Sequence, residues 1–174
     1  MEKEESHLTA RDLEKIDRWI KTVEDMERLQ ILPDRKYAVR KLKLSYKVIG
    51  KGKSRVVYDL GNGLVLKIAY SDKGIRDNRS EAALYRSVPP SVKKLLAKVI
   101  DYGHGWCIME KIKVVNKKKV DLDSLYNLRD KLVRMGINPR DLTNRRNDEP
   151  RWNNFGFDRK GEIVVIDYGN FKAF

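Results

Sequence analysis

Close to the end of the chain, Ile163-Val164-Val165-Ile166 forms an unbroken β-branched run that stops at Asp167-Tyr168-Gly169. Branching at Cβ favours extended, packed backbone, so this run reads as a buried strand. A carboxylate placed where a buried strand meets a glycine turn is rigidly aimed, and a hard cation such as Mg²⁺ prefers an oxygen ligand of this kind. A strand ending in an ordinary surface turn accounts for the same residues. The rest of the chain has to decide between the two.

With 174 residues the chain can bury a real core, as one domain or two small lobes. A composition 41% hydrophobic and 36% charged describes a soluble globular protein with a densely charged surface. No segment has the apolar length needed to span a bilayer, and the opening MEKEESHLTARDLEK is too acidic and polar for a secretory signal; an intracellular, cytoplasmic protein with no membrane partner is expected. The single cysteine, Cys107, lies between Trp106 and Ile108 and reads as a buried thiol. His7 and His104 are too few for a zinc cluster. The formal charge of +13 invites a nucleotide, an acidic protein or nucleic acid as partner.

Thr9 and Asp12 open a helix whose apolar positions Leu13, Ile16, Ile20, Val23 and Met26 recur at steps of three and four; it is expected to reach Leu32, before Pro33. Short β-type runs follow at Leu44 to Ile49, Arg55 to Leu60 and Leu64 to Tyr70, the last two joined across Gly61-Asn62-Gly63. A helix is expected from Asp72 to Val88, ended by Pro89-Pro90, then a short helix over Ser91 to Ala97 and two more strands across Gly103-His104-Gly105. These strands make a five-stranded, mostly antiparallel sheet. Val114 to Val120, with Lys117-Lys118-Lys119, reads as a linker. Beyond it come an amphipathic helix over Asp121 to Met135, a polar loop from Asn138 to Asn153, and a hairpin pairing Phe155 to Phe157 with Ile163 to Asp167. The expected division is an N-terminal helix (1–35), a sheet-bearing lobe (36–113), and a linker with a small second lobe (114–174).

Between the first two strands lies Gly50-Lys51-Gly52-Lys53-Ser54. Glycines there let the backbone fold closely over a polyphosphate, and the lysines favour its charge; a plain hairpin turn is the alternative. In Leu64-Val65-Leu66-Lys67-Ile68-Ala69 one lysine interrupts an apolar strand. A buried ammonium is costly unless paired, and Glu81 on the following helix is the obvious partner.

This order of features resembles the protein kinase-like superfamily, including its compact bacterial and viral members. Gly50, Gly52 and Val57 look like its glycine-rich loop, Lys67 its strand lysine, Glu81 its helix glutamate, Met109-Glu110-Lys111-Ile112 its hinge, and Asp167-Tyr168-Gly169 its Asp-Phe-Gly motif. The resemblance implies that Lys67, held by Glu81, contacts ATP phosphates; that the backbone of Glu110 to Ile112 meets the adenine; and that Asp167 binds Mg²⁺. Two registers compete for the catalytic loop. Gly136-Ile137-Asn138-Pro139-Arg140-Asp141-Leu142 is similar to the family's Gly-Ile-x-His-Arg-Asp-Leu and makes Asp141 the residue that orients the acceptor hydroxyl, but the residue five further on is Arg146. Asp148 with Asn153 restores the Asp-x-x-x-x-Asn spacing, whereas distance from Asp167 favours Asn154 as the metal-binding asparagine. An insertion between Asp141 and Asn154 would reconcile them. Arg55 stands in place of the usual third glycine. With Phe174 so soon after Asp167, the second lobe is expected to be truncated, lacking the usual peptide-recognition helices.

The resulting expectation is an α+β, kinase-like protein that binds ATP and Mg²⁺ and transfers the terminal phosphoryl group to a hydroxyl acceptor. Two other readings stand beside it. One is a catalytically inactive kinase-like module that binds or regulates a partner. The other is a basic nucleic-acid-binding protein, with Trp152, Phe155, Phe157, Tyr168 and Phe171 interleaved with Arg145, Arg146, Arg151 and Lys172 as a stacking platform.

Overall fold

A computed structural model describes residues 7–50, 52–114 and 120–174; Lys51 of the glycine loop and Lys117-Lys118-Lys119 of the expected linker lie outside them. The helices are α1 (Ala10–Arg28), α2 (Arg35–Leu42), α3 (Asp72–Ser87), α4 (Pro90–Lys93) and α5 (Leu122–Arg134). The strands are β1 (Lys47–Val48), β2 (Arg55–Asp59), β3 (Leu64–Ala69), β4 (Val99–Gly103), β5 (Trp106–Glu110), β6 (Lys113–Val114), β7 (Ile137–Asn138), β8 (Phe155–Phe157), β9 (Ile163–Val165) and β10 (Lys172–Ala173). The first five form one antiparallel sheet in the order β1-β2-β3-β5-β4. The expected five-stranded sheet is therefore present, and the molecule is α+β.

Both faces of this sheet are covered, which explains why its central strands are apolar almost throughout. Val56, Tyr58, Leu66, Ile68, Trp106 and Ile108 point to one side and join Ile16, Trp19, Ile20, Val23, Ala38 and Leu42 from α1 and α2. Alternate residues Val65, Cys107 and Met109 point to the other side and join Leu84 of α3 and a core that runs on through Leu125, Leu128, Phe155, Val165 and Tyr168. On that second face Cys107 is enclosed, and burial pushes its thiol up to about 12.

The N-terminal helix differs from expectation in length. Thr9 caps it as foreseen, its hydroxyl oxygen accepting from Asp12 N at 3.1 Å. It stops at Arg28 because Gln30 adopts a left-handed conformation (φ 56°), so that Ile31 N donates to Met26 O and Gln30 N to Glu27 O. This is a Schellman closure with glutamine in the usual glycine position, and it leaves Leu29 and Leu32 exposed at 70% and 78%. A second helix, α2, then occupies part of what reads as approach to the first strand. Asp34 caps it through Tyr37 N at 2.7 Å, and only Lys47 and Val48 of the expected Leu44 to Ile49 run pair as a strand.

The Gly61-Asn62-Gly63 turn joins β2 to β3 as expected, with Gly61 and Gly63 at positive φ. Asp72 to Ser87 is helical, capped by Ser71 through Gly74 N. Gly74 allows a close helix–sheet approach: a Cβ there would lie 2.2 Å from Ser54 O.

Farther along, β8 and β9 form the expected hairpin, with β6 added beside β8, while β7 pairs with β10. The β9 strand is fastened to the segment after α4, since Val165 N donates to Leu95 O and Ala97 N to Val165 O. That attachment carries Ile166 and Asp167 beneath the inner face of the main sheet.

The α1 layer is integral to the core, because the Trp19 indole is buried and its Nε1 donates to Ala69 O at the end of β3, 2.8 Å away. Trp19→Ala should lower the unfolding free energy by about 3–5 kcal/mol in urea titration. A loss below about 1 kcal/mol would mean that α1 only decorates the sheet.

Candidate functional site

Strand alternation puts Arg55 and Lys67 on the inner face of the sheet, because Val57 is the cross-strand partner of Lys67 and Arg55 lies two residues before it. Facing them, α3 presents Glu81, which is 0% exposed. Lys67 Nζ donates to Glu81 Oε1 and Oε2 at 3.1 and 3.2 Å, and to Ile166 O at 2.9 Å. Arg55 Nη1 donates to Glu81 Oε2 at 2.7 Å, and its Nη2 reaches Asp167 Oδ1 at 2.8 Å. The backbone N–H of Tyr168 donates to Glu81 Oε1 at 3.1 Å. One buried carboxylate thus receives two cations and an amide from three separate parts of the chain. An isolated charge in this position would cost several kcal/mol; paired and hydrogen-bonded it organises its surroundings.

Neighbouring polar groups complete the cluster. Asn78 accepts from Arg55 Nη1 at 3.0 Å and donates through Nδ2 to Lys67 O and Gly105 O. Asp77 accepts from Ser54 Oγ and Lys73 Nζ. Gly169 lies against Asp77, where a Cβ would come within 3.0 Å of the Asp77 backbone. Tyr168 is enclosed in the core and its hydroxyl donates to Ala97 O at 2.7 Å. The Asp167-Tyr168-Gly169 turn is therefore held on every side, and only the Asp167 carboxylate, 49% exposed, faces outward.

Burial alone would raise the Asp167 pKa, but the Arg55 guanidinium, followed by the Lys67 ammonium, outweighs it and holds the carboxyl well below the usual range. Burial also acts to lower the Arg55 pKa. Glu81 and Asp167 overcome it, and the guanidinium's pKa is raised.

The residues of the two competing registers fall on different parts of one loop. Thr143 and Pro150 pair across a small antiparallel excursion, closed by Asn144 N to Glu149 O and Asp148 N to Asn144 O. At its base Arg151 N donates to Leu142 O at 2.9 Å. With this excursion set aside, only Leu142, Arg151, Trp152 and Asn153 separate Asp141 from Asn154. Asn154 Nδ2 donates to Asp141 O at 2.7 Å, and Asn154 O accepts from Ile166 N at 2.9 Å. The structure thus brings Asp141 and Asn154 beside the residue that precedes Asp167. Asp148 lies elsewhere: it is exposed, has φ 55°, and binds Arg129 Nη1 through both oxygens at 2.9 and 3.0 Å. The Thr143 hydroxyl, then Arg129, hold its carboxyl below the usual range. Asn153 is also exposed. Neither joins the cluster. The Asp141 carboxylate is hydrogen-bonded by Asn170 Nδ2 and lies 3.4 Å from Arg151 Nη1.

The remaining expected positions frame the cluster. Gly50 O accepts from Arg35 Nη1 at 2.7 Å and Gly52 O from the Tyr70 hydroxyl at 2.8 Å, so α2 and the residue after β3 hold these two glycines. Glu110 ends β5, its N–H donating to Lys98 O, and Ile112 packs against Gly156 of β8. These residues form the strip between the main sheet and the smaller one. A cavity of about 400 Å³ lies on another part of α3, lined by Ile75, Arg79, Ala82, Tyr102 and His104, and meets the Glu81 cluster only at Gly105, whose carbonyl accepts from Asn78.

Three contributors escaped sequence reading: Asn78, Asn170, and Arg55 as a partner of Asp167. A usable signal existed for the first, since Asn78 is three residues from Glu81 and shares its helix face.

Neither a protein-family model nor a curated protein matches the sequence. Solved structures of WbdD do match in fold. The co-crystal structure of WbdD with the kinase inhibitor LY294002 gives a TM-score of 0.53 at 18% identity, covering 76% of this chain and 34% of that one. A high-resolution WbdD structure gives 0.55 at 18%, covering 74% and 33%, and a medium-resolution structure of "the bifunctional kinase-methyltransferase WbdD" gives 0.52 at 19%, covering 70% and 30%. The chain spans about a third of the length of these structures. At this identity the likeness is one of fold, and it supports a kinase-like fold for the part it covers.

Two outcomes follow from the geometry. Because the folded-state pKa of Asp167 is depressed, its contribution to stability is complete above the unfolded carboxylate value, about 3.9, and is lost as pH falls below it. Thermal melts from pH 6 to pH 2 should therefore show an acid limb that is shallower in Asp167→Asn; identical limbs would remove Asp167 from the network. Replacing Thr143 to Pro150 by Asn-Gly should leave the chain folded, with stability changed by less than about 1 kcal/mol, because the excursion's ion pair with Arg129 is exposed. Unfolding of that variant would show that the segment is structural rather than inserted.

Proposed function

We propose that this chain is a kinase-like domain that binds ATP beside Lys67 and transfers its terminal phosphoryl group to a hydroxyl acceptor. The observation that carries this reading is the joining of Lys67, Glu81 and the turn at Asp167, with Asp141 linked to that turn through Asn154. The partial fold likeness to WbdD supports it.

In this reading Lys67 is the phosphate contact. An ammonium has three protons, and its bonds to Glu81 and Ile166 O engage them. A phosphate oxygen therefore takes the place of the Ile166 carbonyl, while Glu81 keeps the side chain aimed. The glycine loop, pinned at its carbonyls, covers the phosphates, and the strip from Glu110 to Ile112 borders the base. The acceptor oxygen attacks the terminal phosphorus, the bond to the bridging oxygen breaks, ADP leaves with that electron pair, and the acceptor proton passes to the Asp141 carboxylate. Such transfer rests mainly on positioning and charge neutralisation.

A second reading, a module of the same fold that binds a partner without catalysis, is favoured by the engagement of both key carboxylates: Asp167 by Arg55, and Asp141 by Asn170 and Arg151. Calorimetric titration of ATP into the full chain, followed by a radiolabelled phosphoryl-transfer assay, separates the two. ATP should bind, and Lys67→Met should weaken binding at least tenfold, about 1.4 kcal/mol. Equal affinity in that variant would move the phosphates away from the sheet. The absence of binding at millimolar ATP would favour the binding module.

A further inference from the structure

The kinase-like resemblance implies Mg²⁺ at Asp167, yet a protein cation already occupies one of its carboxylate oxygens. Asp167 Oδ1 is already taken by Arg55 Nη2 at 2.8 Å, and Arg55 is itself 5% exposed and anchored by Asn78 Oδ1 and Glu81. Asn154, the other expected ligand, is engaged through its Nδ2, which donates to Asp141 O at 2.7 Å. The cluster is also balanced in charge, with Arg55 and Lys67 against Glu81 and Asp167.

We infer that Arg55 is a built-in cation that neutralises Asp167 in place of a metal ion, so that the site beside Lys67 binds a nucleoside triphosphate without Mg²⁺. This rests on the nucleotide-binding reading above and deepens it. A glycine at position 55 would leave Lys67 as the one side-chain cation that, among the described residues, bonds Glu81, with both Glu81 and Asp167 to offset. An incoming polyphosphate would then meet net negative charge and would need a divalent ion to offset it. Arginine removes that requirement. Its planar fork reaches Glu81 and Asp167 together and stays protonated at any relevant pH. Its placement is also fixed: the pairing of Arg55 with Ala69 across β2 and β3 sets its face, and Asn78 sets the direction of the guanidinium. A metal-binding carboxylate normally turns its oxygens toward an open coordination position. Here the oxygen nearest the sheet is turned toward a guanidinium instead.

The test is calorimetric titration of ATP into the full chain in excess EDTA and in excess Mg²⁺, on the wild type and on Arg55→Gly. For the wild type we expect dissociation constants within about twofold of each other. For Arg55→Gly we expect affinity at least tenfold weaker in EDTA and restored by Mg²⁺. Wild-type binding that appears only with Mg²⁺ would overturn the inference and leave the nucleotide-binding reading standing. No binding in either buffer would overturn both. Arg55→Gly binding ATP in EDTA as tightly as wild type would show that Arg55 is not the neutralising cation. If circular dichroism shows that Arg55→Gly does not fold, Arg55→Gln carries the same expectation, since it removes the charge while keeping an amide donor near Asn78.

Discussion

The Glu81 carboxylate is the point on which the arrangement of this molecule depends. It is fully enclosed, and the groups that make its enclosure tolerable come from β2, β3 and the turn after β9. Burying an ionised carboxylate without partners would force it to neutralise, whereas this one is met by two cations and a backbone amide. Removing any one partner would leave charge uncompensated in a low-dielectric setting, so these elements hold their relative positions as a set. Tyr168 and Phe171 enter the core beside this point: the Tyr168 amide donates to Glu81, its ring lies near Phe171, and its hydroxyl donates to Ala97 O.

The second constraint is the two-sided sheet. Period-two alternation sorts β2, β3 and β5 into one face for α1 and α2 and another for α3 and the C-terminal elements. A charged residue in such a strand has no water-facing side, which is why Lys67 and Arg55 need an anion on their own face. Loss of the helical layer would expose an apolar sheet face and so weaken the platform that holds these cations.

Much of this was legible from local chemistry. A lysine inside an apolar strand requires a partner, and an acidic residue on the next helix supplies it; a β-branched run closed by Asp-Tyr-Gly reads as a strand delivering a carboxylate. The Gly61-Asn62-Gly63 hairpin, the start of α1 at Thr9 and the body of α3 were equally readable from caps and turns. What was not legible depends on register and tertiary packing. Arg55 stands at the first position of its strand, and only its pairing with Ala69 shows that it points at Glu81 and Asp167. The end of α1 is not readable from local sequence because glutamine rarely takes the left-handed capping position, and α2 gives little signal because its buried face consists of little beyond Ala38 and Leu42. An insertion between Asp141 and Asn154 was readable from spacing, but its limits were not, because the excursion from Thr143 to Pro150 has the same polar composition as the loop that carries it.

These hydrogen bonds form one continuous path across the candidate site. It runs from the Asp141 carbonyl to Asn154 Nδ2, from Asn154 O to Ile166 N, from Ile166 O to Lys67 Nζ, and through Glu81 to Arg55 and Asp167. A ligand oxygen that displaces Ile166 O from Lys67 alters the peptide that links Asn154 to Asp167. Asp141 and Lys67 are therefore joined mechanically through a single backbone segment. Arg55 bears on the same segment from the opposite direction by holding the Asp167 carboxylate. A substitution at position 55 thus acts on charge and on the position of the turn together. For that reason a contrast between metal-free and metal-bearing solutions, with the chain unchanged, isolates the electrostatic part more cleanly than mutation alone.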